Sequence, residues 1–284
     1  MTPGAALRDA QHADPRARTR AADALGRVQG ELRERACQAL RRLLADDDPE
    51  VRYTAALSLG EQRDGGALQL LIDRVEGDGH PLPRQAAVIG LGLLGDPAAT
   101  DPLVRALSEG APDVRFQAAT SLGQVNPEAA PRHLRRALED GDPEVRAAAA
   151  AALGDLGHRP SADALAQMLG DALPAVQVEA AVALARLGDS RGAPTLAANL
   201  ASSEFQHLAA EHLYRCPVPE VEPQIRRTLG RWLAPALVKV WLAGALYRLG
   251  HDEGRQRLLR HQTSNKPMVS GLAQQLLDEL GGQA

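Results

Sequence analysis

The sequence predicts an all-α protein, an α-α superhelix of about nine helical hairpins. Three observations predict it. One short pattern recurs through most of the chain with a period near 31 residues. Its apolar positions fall at helical spacing. Strand signals are absent, and only 2% of residues are aromatic in a chain that is 44% hydrophobic, so Ala, Leu and Val must build the core. That composition favours helices over sheets.

The clearest copy is DPEVRAAAAAALGDLG, residues 142–157. Asp142 is placed to cap a helix, and Pro143 suits its first turn, where a backbone N–H is unpartnered anyway. Val145, Ala149, Ala152, Leu153 and Leu156 then form one apolar stripe. Gly157 can adopt the left-handed conformation that ends a helix. Aligned on Val145, nine segments are found by asking for apolar residues eight and eleven places later. Their first members are Ala17, Val51, Pro83, Val114, Val145, Val176, Phe205, Val238 and Val269, spaced by 34, 32, 31, 31, 31, 29, 33 and 31 residues. Two of the nine have a weaker third member, Gln62 and Cys216.

A second helical segment lies between successive copies, for example GALQLLIDRV at 66–75, SADALAQML at 161–169 and EGRQRLLR at 253–260. Gly, Asp and Pro punctuate the joins, as at Gly95-Asp96-Pro97 and Gly188-Asp189-Ser190. Each unit is therefore a hairpin of helix A followed by helix B. The whole of 1–284 reads as a single array. Residues 1–13 are unpatterned and read as a cap open to disorder, 14–189 as regular repeats, and 190–284 as divergent repeats with a C-terminal cap.

The pattern D-P-E-V-R-x-x-A-A-x-A-L-G-x-L-G resembles the HEAT-like repeats named for phycobilisome bilin lyases. Arg18, Arg52, Arg84, Arg115 and Arg146 stand at the family's basic position, and Asp14, Asp48 and Asp142 at its acidic cap position. The resemblance runs from about Asp14 to Leu280. It implies a right-handed α-solenoid with helix B on the concave side and an Asp–Arg ladder along the regular units. Gln177, Gln206, Lys239 and Ser270 replace the arginine later, where the ladder is expected to lapse. The resemblance also keeps open a bilin-lyase-like or other cofactor-handling enzyme subunit.

The residues themselves favour no catalysis and no cofactor. The chain has no GxxxxGK[ST], HExxH, GxSxG or CxxC motif, and no His-Glu dipeptide. His207 and Glu211 share a helix face, but no second pair completes a metal site, so a solvated pair is expected. Arg132, Arg135 and Arg136 form one basic cluster, and Arg226, Arg227 and Arg231 another. They raise a nucleic-acid reading, which a net charge of −4 disfavours. The two cysteines, Cys37 and Cys216, lie far apart in sequence, which argues against a disulfide framework. No run is long and apolar enough to span a membrane, and the N-terminal stretch lacks a signal-peptide core, so a cytoplasmic protein is expected.

The informative feature is the helix B face opposite the core, two and six residues after each Val145 equivalent. It carries Tyr53 and Leu57, Gln85 and Ile89, Phe116 and Thr120, Ala147 and Ala151, then Val178 and Val182. No charge interrupts it, and a surface helix face should be polar. It is therefore expected to be an apolar concave groove that binds another protein as a helix or extended peptide. A secondary interface is expected around Trp241, His207 and Glu211. Five of the seven aromatic residues, Phe205, Tyr214, Trp232, Trp241 and Tyr247, crowd into one short region. Tyr214 and Trp232 are expected to pack inside, and Trp241 to sit half exposed.

Overall fold

A computed structural model describes residues 1–281. The chain divides into two compact units, Met1–Ala152 and Leu153–Ala284. The first unit contains α1 (Pro3–Asp9), α2 (Pro15–Leu25), α3 (Arg33–Leu43), α4 (Pro49–Glu61), α5 (Leu68–Gly77), α6 (Pro81–Leu94), α7 (Thr100–Ala106), α8 (Pro112–Val125), α9 (Ala130–Ala137) and most of α10 (Pro143–Asp155). The second contains α11 (Ala162–Gln167), α12 (Pro174–Arg186), α13 (Ala193–Ala198), α14 (Gln206–Arg215), α15 (Glu222–Gly230), α16 (Ala236–Arg248), α17 (Asp252–Gln262) and α18 (Pro267–Gly281). Odd numbers are A helices and even numbers are B helices. Among the described residues there are no strands.

The local signals act as their chemistry requires. Asp48 caps α4 by accepting from the N–H groups of Glu50 and Val51, and Asp142 does the same for Glu144 and Val145. Gly95 and Gly157 take left-handed conformations after α6 and α10, at φ 68° and 63°. Residues 1–13 are not a structureless cap. Thr2 caps α1 by accepting from the Ala5 N–H, and Ala6 is buried where α1 packs on α2 and α3. Two alanines, Ala6 and Ala10, make too faint a stripe to read from sequence.

In the first unit the B helices lie side by side, α2 on α4, α4 on α6, and α6 on α8. The leucine eight places into each motif, Leu25, Leu59, Leu91 and Leu122, is fully buried. Burying each stabilises the fold by about 2 kcal/mol relative to exposure. Small residues set how near the helices come. A Cβ added to Gly60 of α4 would stand 2.6 Å from the Cα of Gly90 in α6. The second unit repeats the scheme with α12 on α14, α14 on α16, and α16 on α18. There Leu184, Leu213 and Leu246 are fully buried.

An ion-pair ladder ties successive hairpins of the first unit together. Arg52 donates from Nε and Nη2 to both oxygens of Asp78, at 2.7 and 2.8 Å, and from Nη1 to the carbonyls of Asp46 and Asp47. Arg18 grips Asp46 and Arg115 grips Asp140 in the same bidentate way. The acid is not the cap residue that sequence suggests. It lies two residues earlier, where its Oδ1 also accepts the N–H of Asp48, His80 or Asp142. Burial alone would raise these carboxyls. The guanidinium and N–H bonds outweigh it and hold Asp46, Asp78 and Asp140 below the usual carboxylate range. One rung is weak. Arg84 reaches Glu109 only at 3.5 Å, and its Nε is buried without a partner.

Candidate functional site

The expected apolar face takes a definite form in the first unit. Tyr53 and Leu57 on α4, Gln85 and Ile89 on α6, and Phe116 on α8 are half-buried, and Thr120 on α8 is exposed. They occupy equivalent register positions on three helices that pack side by side, so they form one row across the helices. The structure adds two residues that sequence reasoning missed. Leu82 and Leu93 are exposed, and with Gln85 and Ile89 they stand at i, i+3, i+7 and i+11 on α6. The signal was present in the helical spacing, one turn beyond each end of the Gln85–Ile89 pair. At the same register as Leu82, the neighbouring B helices carry exposed Glu50, Asp113 and Glu144. An apolar stripe on α6 is thus flanked by carboxylates.

The second-unit part of the face is corrected. Val178 and Val182 of α12 are 0% and 1% exposed and belong to the core, in a cluster with Ala210, Leu213 and Tyr214. Phe205, Leu208 and Trp241 pack against that cluster. Glu211 pairs with Arg215 at 3.0 Å, one turn along α14, while His207 is exposed on the same helix. Trp241 is half-buried and meets Tyr214 with ring centroids 5.4 Å apart. Trp232, expected to pack, is 85% exposed beside Leu233, at 71%. It lies in the connection between α15 and α16, outside the register that feeds the core.

Sequence reasoning also missed an arginine-lined cleft of about 420 Å³ in the second unit. Arg186, Arg215 and Arg248 end α12, α14 and α16, ten residues after Val176, Phe205 and Val238. A column of like charges at one register position is legible in the repeats, but it lies outside both the core stripe and the groove positions. Among the described residues no group of three or more His, Cys, Asp and Glu side chains could hold a metal. Cys37 and Cys216 carry free thiols, and burial pushes both up. No described helix is long and apolar enough to cross a membrane.

Two-helix hairpins stacked through their B helices, with a repeated Arg–Asp rung, define a helical-repeat solenoid protein. The family model for HEAT repeats matches residues 4–82, 68–141 and 132–208, and the chain belongs to the HEAT-repeat family. No curated protein gives a significant sequence match. Among solved structures, Escherichia coli YibA is similar over 87% of this chain and 93% of its own, at 17% identity and a TM-score of 0.65. A chain in a homology model of the full-length AP-3 complex in an intermediate open conformation is similar over 93% of this chain and 54% of its own, at 15% identity and 0.66. The complex of CpcE and CpcF of phycocyanin lyase from Nostoc sp. PCC7120 is similar over 99% and 95%, at 22% identity and 0.46. At these identities the likeness is one of fold alone.

Proposed function

We propose that this chain is a non-catalytic interaction scaffold, and that the face of α4, α6 and α8 holds an amphipathic helix of a partner protein. The observation that carries the reading is the apolar line Leu82–Ile89–Leu93, continued sideways by Leu57 and Phe116 and bordered by Glu50, Asp113 and Glu144. Exposed apolar surface of this continuity favours a partner over water. The acids give orientation, so the partner helix carries Lys or Arg beside its apolar stripe. Direct packing of α4 on α6 and α6 on α8, with the Arg52–Asp78 rung between the first two, holds the three helices in place before binding, which spares ordering entropy.

The test compares wild type with Ile89→Asp and Phe116→Asp. Both sites are half-buried, so helicity by circular dichroism is expected to stay native. Each variant serves as bait against a lysate of the source organism, and any captured protein is then mapped by hydrogen exchange. Capture by wild type, loss in both variants, and new protection of α4, α6 and α8 support the reading. Equal capture by all three, or protection confined to other helices, refutes it.

A further inference from the structure

The second-unit cleft supports a different inference. Its walls include four cations, Arg159, Arg186, Arg215 and Arg248, the rings of Tyr214 and Trp241, and one carboxylate, Glu279. Cations at helix C-termini are favourable in any helix, because the last carbonyls there are unpartnered. That explanation covers Arg186, Arg215 and Arg248 one at a time. It does not cover Arg159, which opens the short 3-10 helix before α11 and shares the cleft. Nor does it explain why three adjacent B helices all place arginine at this register. The equivalent positions are Arg27, Glu61, Leu93, Gln124 and Asp155 in the five preceding units and Glu279 in the last, so the run of three adjacent arginines occurs only here.

The cleft is built as well as charged. In the first five repeats the residue before this position is glycine, as at Gly60, Gly92 and Gly154, where it lets the next B helix approach closely, and in α12 it is Ala185. In α14 that residue is Tyr214. Its ring edge lies 2.9 Å from where Gly244 of α16 would carry a Cβ, so Gly244 is what admits the ring. The Arg248 guanidinium lies 5.0 Å from the Tyr214 ring centre, a cation–π contact that holds it over the cleft. Tyr214 is 3% exposed, and its hydroxyl is buried with no hydrogen bond of acceptable geometry. Burial pushes this phenol up to about 12, with the nearby Glu279 carboxylate adding to the effect, so it remains a neutral donor. Arg186 and Arg215 lean on Asp155 and Glu211, which are 65% and 33% exposed and which an incoming anion can displace.

We propose that this cleft binds an extended acidic segment of a partner protein, with successive carboxylates on Arg186, Arg215 and Arg248, and with Arg159 closing one side. Spacing favours an extended peptide over a compact small anion. Neighbouring packed helices stand roughly 8–10 Å apart, and an extended chain in the polyproline II conformation advances about 3.1 Å per residue with three residues per turn. Acidic residues at every third position therefore lie on one face of such a segment and keep step with the three arginines. Arginine also suits carboxylates by bidentate donation. The proposal uses the second unit alone, so it can fail while the apolar-face reading stands.

The experiment is fluorescence anisotropy of the full chain with a fluorescein-labelled synthetic peptide carrying aspartate at every third position. Controls are the same peptide with asparagine and one with its aspartates clustered. The aspartate-spaced peptide is expected to bind, and to weaken as salt is raised. Arg248→Glu and Arg159→Glu are expected to lower its affinity by about tenfold each. Arg132→Glu, in the first-unit basic cluster, and Ile89→Asp are expected to leave it unchanged. In a Trp232→Phe background the remaining Trp241 should report binding by a change in emission. Circular dichroism checks that each variant keeps its helices. Equal binding of the aspartate and asparagine peptides, no binding of either, or indifference to both cleft reversals overturns the proposal. So does a clustered peptide, or inorganic phosphate at millimolar concentration, that competes as well as the spaced sequence.

Discussion

Replacing Glu109 with Asp should make this protein more stable. Three rungs of the first-unit ladder use aspartate, and each aspartate takes two guanidinium bonds and a backbone N–H two residues on. At the Arg84 rung the acid is one methylene longer. The Arg84 Nη1 still donates to the Asp78 carbonyl at 2.8 Å, but Nη2 stands 3.5 Å from Glu109 and Nε is left buried and unpartnered. An unsatisfied buried polar group costs about 1–3 kcal/mol. The pair is mostly but not wholly buried, at 18% and 29% side-chain exposure, which reduces what a new rung returns. A gain of about 1 kcal/mol is expected. With a urea m-value of roughly 2 kcal/mol/M, the midpoint rises by about 0.5 M at unchanged m. In an Arg84→Met background Glu109→Asp should give no gain, because the donor is gone. An unchanged or lower midpoint, or an equal gain without Arg84, would refute the rung argument.

Two further outcomes follow from the same geometry. Gly60→Ala puts a methyl 2.6 Å from the Gly90 backbone, which cannot turn away as a side chain can. It should cost about 1–3 kcal/mol in thermal or urea unfolding, and a neutral result would mean that α4 and α6 do not approach this closely. Because Asp46, Asp78 and Asp140 titrate below the ordinary carboxylate range when folded, their contribution is present above that range and lost as pH falls through the folded values. Stability in urea should therefore hold down to about pH 5 and fall steeply below about pH 4, and Asp78→Asn should flatten that fall. A wild-type midpoint that stays constant to pH 3 would contradict this.

The amino-acid sequence determined the repeat, the hairpin and the core. A helix stripe is a local property, written in residues three, four and seven apart, so spacing alone assigns Val51, Leu59 and Leu91 to the interior, where they are fully buried. Caps such as Asp48 and Asp142 are equally local, since a side chain bonds an N–H two or three residues away. Leu82 and Leu93 were within reach of the same reasoning. Tertiary structure decided what depends on the next hairpin. Val182 and Ile89 occupy the same groove register, yet the first belongs to a buried cluster drawn from several helices of its unit and the second is half-buried. The ladder acid is Asp78 rather than a cap residue, since its partner Arg52 lies 26 residues away and only packing brings them together. In the arginine cleft Tyr214 stands where the first five repeats have glycine, and Gly244 leaves room for it. Periodicity decides which residues face a neighbour, but the volume of that neighbour's side chains sets whether they meet protein or water.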